Sequence, residues 1–166
     1  GVCVTGGEPL LFGDELFEFI SKIKEMGYAV KLDTNGSFPD KLRRLIDAGI
    51  IDKVAMDIKN SPEKYGETAG VANFDMSPIF KSIELIKNSG IDYEFRTTVV
   101  RELHEKSDFE EIGKMIEGAK AYFLQSFVDS GDLIGEGMSA MSESELKECL
   151  AAVKKYVSEA KIRGMN

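Results

Sequence analysis

KEMGYAVKLD, residues 24–33, runs from the charged end of a helical pattern through one glycine into an apolar strand that closes on a carboxylate. Gly27 can take the left-handed conformation that stops a helix, and the residues after it suit a pleated, half-buried segment. The same return occurs in DAGIIDKVAMD (47–57) and KNSGIDYEFRTTVV (87–100). Ahead of the first return, Leu16, Phe19, Ile20 and Ile23 recur at helical spacing, with Asp14 placed to cap and Gly27 to stop, so a helix over 14–26 is expected with that face on a sheet. Ser77-Pro78 supplies a capping residue and a proline at a first helical position. Further helices are predicted near 40–48, 78–89, 107–117 and 142–160. Strands are predicted near 2–5, 29–34, 53–58, 92–100 and 121–127, with a short last one around 161–163. Regular alternation of helix and strand predicts an α/β fold with a parallel sheet and right-handed crossovers, either open and doubly wound or part of a barrel.

The chain has 166 residues, 43% of them hydrophobic and 30% charged, which suits a single domain over 1–166 with a substantial core, 128–166 forming its C-terminal part. A formal net charge of -8 argues against a broad phosphate-binding face, so nucleic acid is not an expected partner. No apolar run approaches the roughly 20 residues of a membrane span and no signal segment opens the chain, so no membrane association and a cytoplasmic location are expected. The two cysteines, Cys3 and Cys149, fall in different predicted elements. They form neither a disulfide framework nor a metal motif and read as small buried hydrophobes. Gly1 is not an initiator methionine and the chain opens inside a predicted strand, so a fragment or trimmed product is expected.

Parallel α/β folds bind ligands at the carboxyl ends of their strands, and here those ends are polar. In order they carry Thr5-Gly6-Gly7-Glu8, Asp33-Thr34-Asn35-Gly36, Asp57-Ile58-Lys59, Arg96-Thr97-Thr98 and Gln125-Ser126. Ala55, Asp57 and Lys59 alternate onto one face, where Asp57 and Lys59 can pair. Taken singly, an internal salt bridge or an Asn-Gly turn accounts for each group. Together they are charges on neighbouring strand ends that need a partner or a use. In VTGGEPLL (4–11), two glycines permit close approach of a ligand to the backbone, and Pro9 biases Glu8 toward an extended conformation. His104, the one histidine, reads as a solvated loop residue. Asp129-Ser130-Gly131-Asp132 reads as a solvated turn, within a glycine-bearing loop (Gly131, Gly135, Gly137) able to serve as a lid or docking surface.

From residue 1 to about 127, TGGEPL, DTNG, VAMDIK and the arginine of FRTTVV occur in an order that resembles the radical S-adenosylmethionine (SAM) enzymes, and among them the activating enzymes of glycyl-radical proteins. The resemblance implies a partial (β/α) barrel lacking its first βα unit, and SAM as cofactor. By position, Gly6, Gly7, Glu8 and Pro9 match the motif whose backbone and glutamate receive the methionine amino group. Lys59 and Arg96 match positions near its carboxylate, with Thr98 in the same cofactor set. Asp33, Thr34, Asp57 and the carbonyl of Ala55 match a monovalent-cation site. The resemblance further implies a 4Fe-4S cluster held by a CxxxCxxC triplet that this chain does not contain, so the cluster is expected only in a longer parent whose cluster-binding segment precedes GGEP. The activity implied is reductive cleavage of SAM to a 5'-deoxyadenosyl radical that installs a glycyl radical on a partner. That partner is of the anaerobic ribonucleotide reductase or pyruvate formate-lyase type, and the electron donor is a flavodoxin or ferredoxin. Gln125 and Phe127 stand where some pyruvate formate-lyase activators carry a histidine, which favours the ribonucleotide reductase activators. A 7-carboxy-7-deazaguanine synthase, and a non-catalytic module that binds SAM or a partner, are the alternatives.

Overall fold

The computed structural model describes residues 1–128 and 137–164. Six strands, β1 (Val2–Val4), β2 (Val30–Thr34), β3 (Lys53–Asp57), β4 (Asp92–Val99), β5 (Ala121–Ser126) and β6 (Glu159–Arg163), form one sheet in sequential order, with β1 and β6 outermost. The sheet is the parallel α/β arrangement read from the glycine returns. The helices are α1 (Asp14–Glu25), α2 (Pro39–Asp47), α3 (Tyr65–Ala69), α4 (Ser77–Asn88), α5 (Lys106–Met115) and α6 (Glu143–Val153), with a 3-10 turn at Pro9–Phe12. Packing divides the chain into two compact units. One comprises Gly1–Asp57 with Met76–Glu94, the other Ile58–Asp75 with Phe95–Asn166.

In the first unit β1, β2 and β3 run parallel in the register Val4 to Leu32 and Asp33 to Ala55. Val30, Leu32, Val54 and Met56 are buried together with Leu16, Ile20 and Ile23 of α1, Leu42 and Leu45 of α2, and Ile79, Ile83 and Ile86 of α4. Gly27 takes φ 83° after the last turn of α1, as its position predicts. Asp14 is not the cap: Gly13 occupies that position at φ 55°, and Asp14 lies in the first turn, paired with Arg44. Phe19 leaves the expected apolar face and is 54% exposed. It lines a shallow cleft of about 260 Å³ with Val4, Pro9, Phe12 and Leu16. Ser77 is likewise the first residue of α4 and not its cap. At the start of β2 the Asp52 carboxylate accepts from the Val30 amide at 2.6 Å and from Lys24 at 2.9 Å, and the two donors hold its carboxyl below the usual carboxylate range.

In the second unit β4, β5 and β6 run parallel, with Arg96 opposite Phe123 and Thr98 opposite Gln125. Phe95, Thr97 and Val99 alternate into the core with Tyr122 and Leu124, against Phe109 and Ile112 of α5 and Leu146 and Val153 of α6. The helix expected over 142–160 stops at Val153, so that the chain can return as β6. Gly113 of α5 faces the Tyr156 ring so closely that a Cβ would come within 2.4 Å of it. The cysteines do not share one environment. Cys149 of α6 is buried, whereas Cys3 of β1 is exposed, contrary to its reading as a core residue. Burial, reinforced by Glu148 and Glu145, pushes the Cys149 thiol up to about 11. At pH 8 a maleimide reagent is therefore expected to label Cys3 alone, because roughly 0.1% of Cys149 is thiolate there. Cys149 should join only as the pH approaches its raised value. Equal labelling of both at pH 8 in the native state, read by peptide mass, contradicts this.

Candidate functional site

The chain leaves β1 into a turn that only glycine accommodates at its first corner. Gly6 has φ 99° and Gly7 φ 53°, both residues are exposed, and a Cβ on either meets nothing within 4 Å. The glycines thus serve main-chain conformation and leave the backbone open to approach. Glu8 follows at φ -124° and ψ 104°, the extended conformation its proline neighbour imposes. Its side chain folds inward and is 7% exposed. One oxygen accepts from the Leu10 amide at 3.0 Å, capping the 3-10 turn, and the other from the Asn35 amide at 2.6 Å. The Thr34 hydroxyl lies 2.9 and 3.1 Å from the two oxygens and itself accepts from the Gly36 amide at 3.1 Å. The two motifs GGEP and DTNG are thereby one hydrogen-bonded unit. Glu8 braces that unit, with its carboxylate occupied by internal donors.

Gly36 shows how closely this corner is packed. It has φ 78°, and a Cβ there would lie 2.1 Å from Cε of Met56, so a side chain must both adopt an unfavourable conformation and displace a core methionine. Its carbonyl accepts from Ser82 of α4 at 2.7 Å. Asp33, one residue before Thr34, is also buried. Its carboxylate accepts from Thr5 at 3.1 Å and pairs with Lys31 at 2.8 Å, and the Cys3 thiol lies 3.7 Å from it. Asp33 stands beside Ala55 in the β2–β3 register, and Asp57 follows Ala55 by two residues. Asp33, Ala55 and Asp57 therefore share one face of the strands, while Thr34 alternates to the other and gives its hydroxyl to Glu8. Among the described residues, no group of three or more His, Cys, Asp or Glu is disposed to hold a metal ion.

The candidates of the second unit follow β3 or lie on β4. Lys59 is half-buried, Arg96 is half-buried and Thr98 is exposed, the last two alternating on the face of β4 opposite Thr97. The segment that carries Lys59 is extensively tied down. The Ile58 amide donates to the Arg96 carbonyl at 2.8 Å, and the Ile58 carbonyl accepts from the Thr97 hydroxyl at 2.7 Å. Tyr122, fully buried, donates its hydroxyl to Thr97 at 2.6 Å, and loss of hydration raises its phenol well above the usual range. His104 is 5% exposed and not solvated as expected, with Nε2 2.9 Å from the Lys59 carbonyl. Asn60 and Ser61 are buried too. The Asn60 amide reaches Thr68 at 2.8 Å and the Leu103 carbonyl at 2.9 Å, and Ser61 donates to Asp108 at 3.0 Å. None of Asn60, Ser61 or Asp108 stands out in sequence, since each is a common loop or helix-start residue. The one available signal is their position immediately after a strand that ends in charged groups. Residues 129–132 and the loop glycines Gly131 and Gly135 lie outside the described residues. A surface depression of about 490 Å³ beside α2 and α4 is lined by Arg43, Asp47, Lys81 and Glu84 and contains none of the candidate residues.

The fold is a parallel α/β sheet whose strand ends carry an open Gly-Gly turn with Asp33 and Asp57 in the first unit, and Lys59 and Arg96 in the second. Comparison with known proteins gives its family. The model of the radical SAM superfamily matches residues 1–116. A Methanocaldococcus jannaschii protein named as a glycyl-radical enzyme activating enzyme is 34% identical over 170 residues, covering 99% of this chain and 71% of its own length. An AdoMet-dependent heme synthase of Oleidesulfovibrio alaskensis is 28% identical over 155 residues, covering 90% of this chain and 38% of its own length. The crystal structure of a domain of a pyruvate-formate lyase-activating enzyme from Bacteroides vulgatus superimposes with a TM-score of 0.76 at 19% identity, covering 99% of both chains. This chain belongs to the radical SAM superfamily.

The family implies SAM and a 4Fe-4S cluster. Gly6 and Gly7 of the first unit present open main chain and Lys59 and Arg96 of the second are cations, so the residues present include the donor types that an amino acid moiety such as that of SAM takes up. They do not fit the cluster: two cysteines, one exposed in β1 and one buried in α6, supply no set of three thiolates.

Proposed function

We propose that this chain is the SAM-binding core of a glycyl-radical enzyme activating enzyme. The observation that carries the reading is the 34% identity to a relative of that name across nearly the whole chain, together with the ordered polar groups at successive strand ends. Bound SAM supplies, on one-electron reduction, the carbon radical that abstracts hydrogen from a glycine of the partner. The chain's own residues bind and orient it. The main chain of Gly6 and Gly7, held in place by Glu8 and Pro9, takes the methionine amino group. Lys59 and Arg96 take its carboxylate, and Thr98 contributes a hydroxyl. Asp33, Asp57 and the Ala55 carbonyl offer oxygen ligands to a monovalent cation, Asp33 sharing its charge with Lys31, whereas the Thr34 hydroxyl expected among them lies on the opposite face and is committed to Glu8. The partner is a glycyl-radical enzyme of the anaerobic ribonucleotide reductase or pyruvate formate-lyase type, with a flavodoxin or ferredoxin as electron donor.

The test is made in the cluster-bearing polypeptide that contains this chain, reconstituted without oxygen. Reduced protein should convert SAM to 5'-deoxyadenosine. Lys59→Ala should keep its iron content and reduced-cluster signal but bind SAM about ten- to a hundredfold more weakly, the worth of one charge-assisted contact. A Lys59→Ala protein that binds and cleaves SAM like the wild type removes Lys59 from the site. Absence of SAM binding by the reconstituted wild type removes the proposal.

A further inference from the structure

The segment Ile58–Ser61 leaves β3 without entering a helix or a strand, yet each of its residues is held by hydrogen bonds. An irregular buried segment must find partners for its main-chain groups outside regular structure. Here they come from side chains. Thr97 of β4 donates to the Ile58 carbonyl, Asn60 accepts from the Ser61 amide at 2.7 Å, and His104 bonds the Lys59 carbonyl.

The ring of His104 can be assigned from its surroundings. Nδ1 lies 3.1 Å from the Val100 carbonyl and 3.2 Å from the Val100 amide, and that carbonyl already accepts from the amides of Leu103 and His104, at 3.2 and 3.0 Å. An N–H facing Nδ1 requires an acceptor there, and a carbonyl facing Nε2 requires a donor. The neutral ring with its proton on Nε2 meets both needs at once. Phe109 of α5 packs against the ring, with centroids 5.8 Å apart. The next residue, Glu105, caps α5 through a reciprocal box with Asp108, and Asp108 in turn accepts from Ser61. A histidine and a threonine distant in sequence from Lys59 thus fix the carbonyl of its own residue and that of the residue before it.

We infer that His104 and Thr97 are positioning residues for Lys59: they set the main-chain path of Ile58–Ser61 and so aim the Lys59 ammonium at the SAM carboxylate. This rests on the reading of Lys59 given above. Neither residue touches the cofactor, and the buried histidine acts as a hydrogen-bond bridge that transfers no proton.

The experiment is a double-mutant cycle in the reconstituted, cluster-bearing polypeptide, with SAM affinity and backbone amide exchange as readouts. His104→Ala should weaken SAM binding about fivefold or more with iron content unchanged, and should speed exchange of the Lys59 to Ser61 amides about tenfold. His104→Gln, whose side-chain amide can still donate to the Lys59 carbonyl, should recover affinity to within about twofold. Thr97→Val serves as the second variant should His104→Ala not fold, and the same loss of affinity is expected. In a Lys59→Ala background either substitution should change affinity by less than about twofold, because the group it aims is gone. Equal losses in both backgrounds, or exchange at 59–61 that does not respond, overturn the positioning role while leaving Lys59 as a carboxylate ligand. Wild-type SAM affinity in Lys59→Ala instead overturns the reading of Lys59, and with it any route from His104 to the cofactor.

Discussion

Glu8→Ala is expected to lower the stability of the chain by about 3–5 kcal/mol, the cost of leaving several neutral donors without the carboxylate that accepts from them. The size follows from what the substitution strands. The Leu10 amide, the Asn35 amide and the Thr34 hydroxyl all donate to this carboxylate, and Glu8, Thr34 and Leu10 are buried. Alanine leaves these donors facing a void that only water can fill, and it unties the GGEP turn from the end of β2. Glu8→Gln keeps shape and volume, but its NH2 group must confront one of the two amides, so about half of the loss is expected. Urea denaturation followed by circular dichroism reads both. A loss below about 1 kcal/mol for Glu8→Ala would mean that the internal bonds are replaced by solvent at no cost, and the bracing role would fall. If Glu8→Gln folds, its SAM affinity should track its folded fraction, since the carboxylate is spent on the protein and the proposed site takes the cofactor through the main chain of Gly6 and Gly7.

The repeated helix, glycine, strand pattern made the parallel sheet legible because each glycine marks a chain reversal that needs positive φ, and Gly27, Gly49 and Gly90 all adopt it. The alternation of Phe95, Thr97 and Val99 against Arg96 and Thr98 was equally readable, as was the concentration of polar groups at strand ends. Helix boundaries were less so. Asp14 and Ser77 are good capping residues by type, but each lies inside its helix, where Asp14 instead pairs with Arg44 and Pro78 fixes the start of α4. Composition also misassigned His104 and Cys3, because burial depends on packing between residues far apart in the chain. The loop after β4 folds back onto the segment after β3, and β1 is an outer strand whose Cys3 side is exposed. The role of Glu8 could not be read from its motif either. A carboxylate beside two glycines invites assignment to a ligand, and only the distances to Leu10, Thr34 and Asn35 show that its bonds are already made.

Asn60 is the second position where a large effect is expected, and its test carries its own pH signature. The residue is fully buried, donates to the Thr68 hydroxyl and the Leu103 carbonyl, and accepts from the Ser61 amide. Asn60→Leu, close in volume, leaves all three groups without a partner and should cost about 3 kcal/mol. Asn60→Asp preserves the shape but turns the amide donor into a carboxylate oxygen that faces the Leu103 carbonyl. Burial and this repulsion favour the protonated acid, so the aspartate should have a folded-state pKa raised above the unfolded value of about 3.9. A raised folded pKa gives stability that is fully present below the unfolded value and is lost as the pH rises through the folded one. Asn60→Asp should therefore approach the wild type near pH 4, with one proton available to donate to Leu103 or Thr68, and fall progressively further behind it toward pH 8. Denaturant midpoints for the two proteins measured across that interval decide the matter. A difference that stays constant with pH, or that shrinks as the pH rises, would show that the aspartate is hydrated or has found a cation, and that Asn60 is not the closed junction between the segment after β3 and the loop after β4.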